Sequence, residues 1–161
     1  MTPAQWNVDE FVTRDLPKLQ RVIGLSLSAW CLVFGLIHLV SPRTFLVTVV
    51  PMSSGFEEPE GSIPLYGVVF AVYLLLSAGL IAQLSDERPS VVVGRHAAMK
   101  RMSLLILSCA ALVRAVLGLR GIAERDVAVV AVFAEVWFAM AGIAGILLWT
   151  TLLARKRDLE R

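Results

Sequence analysis

A chain of 161 residues that is 57% hydrophobic and only 17% charged, with a mean hydropathy of +0.74, falls outside the range of ordinary soluble domains, where about a quarter of residues are charged. A soluble fold of this length buries one core, and it does not also hide four long apolar runs joined by short polar connections. The 15 basic and 13 acidic residues nearly balance at a formal +2, which excludes the strongly basic field of a nucleic-acid binder.

Residues 1–21, MTPAQWNVDEFVTRDLPKLQR, scatter Trp6, Phe11, Val12, Leu16 and Leu19 among charges. That mixture predicts a helix lying in the headgroup region and interrupted at Pro17. The first span, VIGLSLSAWCLVFGLIHLV at 22–40, approaches the roughly 20 apolar residues needed to cross a bilayer core. It is too long for the apolar part of a cleaved leader and no small-residue cleavage site follows, so a permanent helix is expected. After SPR comes TFLVTVV at 44–50, too apolar for a freely solvated loop and expected to dip into the interface or to cover the helices. GFEEPEG then places Glu57, Glu58 and Glu60 in an acidic loop beside the start of the second span, 63–84. ERPS breaks the chain before the third span at 102–119, and a short connection leads to the fourth at 127–153.

Eleven of the 15 basic residues fall in the N-terminal segment, in the connection between the second and third spans, and in the tail. The positive-inside rule therefore puts both termini on the cytoplasmic side, as an even number of spans requires. The expected architecture is all-α: residues 1–161 as one polytopic integral membrane domain, a four-helix bundle in a bacterial cytoplasmic membrane.

Arg114 stands inside the third span, in SCAALVRAVLGLRG, where an arginine costs about 2.5–3.5 kcal/mol unless it finds a partner, a wet cavity or the interface. Glu135 is the only acidic residue within any of the four spans and sits in the fourth. Counted from the middle of the short connection, Arg114 lies nine residues before and Glu135 twelve after, a depth difference of roughly 4–5 Å at about 1.5 Å per residue. Side chains lean toward their own helix N-terminus, so the two converge. Arg114 shares its face with Ala110, Ala111, Gly118 and Gly121, and Glu135 with Ala131, Ala139 and Gly142, small residues that allow close helix approach. His38, near the outer end of the first span, and Tyr66, near the outer start of the second, complete a candidate polar pocket in the outer half. A structural bridge, a ligand or proton site, and an arginine that reaches for the interface are the readings left open.

No catalytic set is expected. HExxH, GxSxG and phosphate-binding glycine loops are missing from the sequence, as are clustered zinc ligands, and His38 and His96 lie toward opposite sides of the membrane, which does not suit a transmembrane haem. No metal and no cofactor is expected. Cys31 and Cys109 both lie within apolar runs and read as small hydrophobes. Gly24 with Ser28, Gly67 with Ala71, and Ala141 with Gly145 read as notches for helix packing, while Trp30 and Trp137 lie well inside their spans.

Four stretches carry a family resemblance: FGLIHLVSPRTF closing the first span, IPLYGVVFAVYLLLSAGL opening the second, ALVRAVLGL in the third and FAEVWFAMAGI in the fourth. Together they resemble the DoxX-like group of small four-helix bacterial membrane proteins, from about Leu19 to Leu153. Where that family has a glycine pair after the tyrosine, this chain has Gly67 followed by Val68. The resemblance implies a four-helix bundle with a polar centre at Tyr66, Arg114 and Glu135. It implies no established activity, although some DoxX-like proteins are membrane partners of quinone-linked oxidoreductases. The functional expectation is a non-enzymatic accessory or assembly subunit of a larger membrane complex, or a homo-oligomer. The alternative is a binder or carrier of a lipid, quinone or other apolar molecule held in the outer-half pocket.

Overall fold

The computed structural model describes residues 8–41, 63–123 and 129–161. Among them every regular element is helical: α1 (Leu16–Val40), α2 (Ile63–Leu84), a short α3 (Pro89–Val93), α4 (Ala97–Ala123) and α5 (Val129–Leu159). The shortest of the four long helices has 22 residues, or about 33 Å at 1.5 Å per residue, enough for a hydrocarbon core of roughly 30 Å. All four are long and apolar enough to cross a membrane. In lipid a helix is the solution that satisfies each backbone N–H and C=O within its own segment, and these runs contain little else that would stop one. The acidic loop with Glu57, Glu58 and Glu60, the segment 44–50 and Trp6 lie outside the described residues.

The N-terminal segment departs from expectation. The chain is helical from Val8 into α1 without a break, with Phe11–Asp15 wound as π-helix. Pro17 has no N–H to give and its ring presses on the carbonyl four residues back, at Thr13. The widened turn accommodates both, so the proline marks a π-helical stretch instead of ending the helix. Side-chain bonds within the turn, Arg14 to Glu10 at 2.9 Å and the Thr13 hydroxyl to the Asp9 carbonyl at 2.7 Å, hold it.

α1 lies antiparallel along α2, and α4 along α5, while α1 also packs on α5 and so joins the two pairs. α2 and α4 scarcely meet. The tight seams use small residues. Gly24 faces Ser85, Gly35 faces Leu75 and the Ala71 carbonyl, and Gly142 lies so close to α4 that a Cβ there would fall 2.6 Å from Leu112 Cγ. Large apolar side chains such as Leu76 (71% exposed) and Val116 (65%) point outward, as lipid-facing positions do. Trp137 is also on an outward face, whereas Trp30 stacks inside on Phe34. Cys31 is buried and Cys109 exposed, both as free thiols.

A polar lock closes the end at which α3 lies. Gln20, fully buried, donates from Nε2 to the carbonyls of Leu84 (2.8 Å) and Asp86 (2.9 Å), and its Oε1 accepts from Arg155 Nη1. Arg155 Nη2 donates to the Glu87 carbonyl at 2.8 Å, and buried Arg101 donates to the Val92 carbonyl of α3. These bonds tie α1, α5 and the connection between α2 and α4 together. Arg101 and Arg155 were expected only as surface charges that set sidedness; the structure turns both inward, because free carbonyls at a helix end give a buried guanidinium its partners.

Candidate functional site

Glu135 enters α4 through the gap left by a glycine. A Cβ on Gly118 would fall 2.6 and 2.7 Å from the two carboxylate oxygens, so only a residue without a side chain lets the carboxylate lie against that backbone. Gly118 is one helical turn from Arg114, and this brings the charges together: Arg114 Nη2 donates to Glu135 Oε1 at 3.1 Å. Their side chains are 13% and 1% exposed. Phe138, three residues beyond Glu135 and on the same face of α5, lies under the guanidinium, with Cζ 3.7 Å from the ring centroid. One face of α5 thus supplies both a counter-ion and a π surface.

The pair is not fully satisfied. Arg114 Nε and Nη1 and Glu135 Oε2 are buried without a hydrogen-bond partner among the described residues, and so is the indole nitrogen of Trp30. Buried donors of this kind normally find a partner in protein or in ordered water.

Arg114 and Trp30 both line a cavity of about 460 Å³ between the helices. Phe70, Tyr73 and Phe138 form its aromatic walls. Trp30 meets the Phe138 ring edge-on at 5.3 Å, and Phe70 stacks on Tyr73 at 6.1 Å. The cavity extends along α2 from Tyr66 to Ile81 and along α4 from Arg114 back to Leu104, so Arg114 lies at one end of a long apolar slot. Its lining residues with substantial exposure, including Val69, Tyr73 and Ala110, belong to α2 and α4, and the mouth therefore opens between these two helices.

Tyr66 lines this slot near its Arg114 end and is 42% exposed. His38 does not line it. The imidazole is fully buried, donates from Nδ1 to the Phe34 carbonyl at 2.7 Å, and stands edge-on to Phe70 at 5.0 Å. Two of the four candidate residues within the spans, Tyr66 and Arg114, thus line one end of the slot, with Glu135 behind as the counter-ion of Arg114 and His38 behind Phe70. No group of three or more potential metal ligands occurs among the described residues.

The chain matches no family model, no curated protein and no solved structure. Function must therefore be argued from the slot itself. Sequence reasoning did not find Trp30, Phe70, Tyr73 or Phe138 as its walls, nor Gly118 as the seat of the carboxylate. Gly118 carried a signal, since it stands one turn from Arg114 on the same face. Phe138 carried one too, three residues beyond Glu135 on its face; Trp30, Phe70 and Tyr73 carried none, because in a span apolar all round nothing marks which side turns inward.

Proposed function

We propose that this chain is a multi-pass membrane protein that binds an apolar molecule in the slot between α2 and α4, admitting it sideways from the bilayer. The observation that carries this reading is the aromatic-walled cavity itself, with Arg114 at one end as the only charged side chain among its lining residues. Its volume lies within the 300–1,000 Å³ typical of small-molecule sites, and few converging polar groups in an apolar lining is their usual composition. The placement of basic residues supports a cytoplasmic location for the α3 end and both ends of this chain, and the DoxX-like resemblance accords with a bacterial cytoplasmic membrane. In that orientation Arg114 lies in the outer half. The DoxX-like resemblance accords with a polar centre at Tyr66, Arg114 and Glu135.

Native mass spectrometry of the protein extracted gently from its own membrane tests the reading. A retained apolar molecule, diminished by Arg114→Leu, is the expected result. Protein that emerges empty from every mild extraction refutes it.

One feature favours the accessory-subunit or homo-oligomer reading. Gly79 opens onto empty space on the outward face of α2, beside exposed Val72 and Leu76, and such a notch lets another helix approach closely. Recovery with a second membrane protein at fixed stoichiometry, and no small molecule, would decide for it.

A further inference from the structure

The end of the molecule at α3 carries a positive charge that its own ion pairs do not remove. From Arg88 to Arg101 the chain holds four basic side chains and no acidic one. Two of these are engaged: Arg88 pairs with Asp86 at 3.4 Å, and buried Arg101 donates to the Val92 carbonyl. Arg95 is exposed and its side chain has no partner among the described residues. Lys100 gives one N–H to the neutral Oε1 of Gln83 at 2.8 Å, which leaves its charge unbalanced and two further donors to spare.

The backbone that carries Arg95 is held. The Gly94 N–H bonds to the Ser90 carbonyl and the Ala97 N–H to the Gly94 carbonyl, each at 2.9 Å. A Cβ on Gly94 would meet the Ser90 carbonyl oxygen, so this turn closes only on glycine. Val92, fully buried, and its bond from Arg101 pin α3 against the helices.

Beside the two cations the surface is apolar. Val93, Met99 and Met102 are exposed, and the spacing of Met99, Met102 and Ile106 continues the strip along one face of α4. The apolar run of α2 ends at Leu84 and that of α4 begins at Met102, which puts Arg95 and Lys100 at the level of lipid headgroups. Cations with spare donors next to outward apolar side chains match a phosphate that carries hydrocarbon. A free phosphate would use the cations and leave the strip unused. A soluble acidic protein would have to displace acyl chains to reach Met102. The tail of α5 lacks this pattern, because Arg157 and Arg161 are interleaved with Asp158 and Glu160.

We propose that this corner of the molecule holds an anionic phospholipid, its phosphate met by Arg95 and Lys100 and its acyl chains lying on Val93, Met99 and Met102. The site is separate from the slot and does not depend on what the slot binds.

Phosphatidylglycerol and phosphatidylcholine with identical acyl chains are offered in equal amounts to the full chain in detergent, and the lipids retained are counted by native mass spectrometry. Phosphatidylglycerol is expected to be preferred. Arg95→Gln and Lys100→Gln should each reduce the preference about fivefold, the usual worth of one basic side chain at an anionic surface. Arg95→Lys, which keeps the charge, should preserve most of it. Met99→Ser with Met102→Ser should lower the retention of both lipids. Arg157→Gln with Arg161→Gln, which removes as much charge from the same end, should leave the preference unchanged.

Equal retention of the two lipids by the natural chain overturns the proposal. So does an equal fall in preference from the α5 pair, since that leaves only a diffuse field. Displacement of phosphatidylglycerol by an equal concentration of inorganic phosphate overturns it as well, because the apolar strip then contributes nothing.

Discussion

Replacing Glu135 with leucine removes the one counter-ion that Arg114, 13% exposed, has among the described residues. An uncompensated arginine in the middle of a span costs about 2.5–3.5 kcal/mol. The Phe138 ring under the guanidinium is retained, and it offsets about 1 kcal/mol, so a net loss of about 2 kcal/mol is expected. Arg114→Leu strands the partner instead. At 1% exposure and seated in the Gly118 notch, the Glu135 carboxyl is left as a buried polar group without its partner, which costs about 1–2 kcal/mol. With both residues changed to leucine no buried charge is left at this site, and stability should return to within about 1 kcal/mol of the natural chain. The four proteins can be compared by reversible unfolding in mixed micelles titrated with a denaturing detergent and followed by helicity. If the losses of the single variants simply add in the double variant, the residues are not partners in the membrane and the site described above is wrong. A folded double variant that no longer retains its small molecule separates binding from stability.

Other perturbations follow from the same contacts. Gly118→Ala puts a methyl group 2.6–2.7 Å from the Glu135 oxygens, so a loss of about 1–3 kcal/mol is expected, with little further loss when Glu135→Leu is added; equal loss in both backgrounds would separate the two residues. Gln20→Leu leaves Arg155 Nη1 and two carbonyls without their partner, and about 2–3 kcal/mol should be lost in the same unfolding assay. Arg21→Ala breaks only the exposed pair with Glu87 at 3.4 Å and should cost less than about 1 kcal/mol; a larger effect than Gln20→Leu would contradict the buried lock. Gly79→Leu meets open space and should leave stability unchanged, and a change in oligomer size on native gels would favour the subunit reading.

Hydropathy by itself locates the four long helices to within a few residues, because in lipid an apolar run has no stable alternative to satisfying its own backbone. The spans expected at 22–40, 63–84, 102–119 and 127–153 are found as helices over 16–40, 63–84, 97–123 and 129–159. The additional turns are amphipathic or charged, as in the tail after Leu153, where hydropathy is silent. Arg114 and Glu135 could be matched from the chain alone because a short connection makes depth countable and each side chain leans toward its own helix N-terminus, Arg114 deeper and Glu135 shallower, so that the two converge.

Packing in three dimensions decided the rest. Lipid tails are as apolar as leucine, so no hydrophobic force tells one face of such a helix from another, and the pattern of apolar residues does not say which neighbour a helix will choose. That α1 bridges to α5 while α2 and α4 stand apart, that Trp30 turns inward and Trp137 outward, and that Gln20, Arg101 and Arg155 lock one end are consequences of shape and of carbonyls needing donors. The slot exists only because two helices that are consecutive spans in the chain scarcely touch, and that gap is what gives the buried arginine something to face.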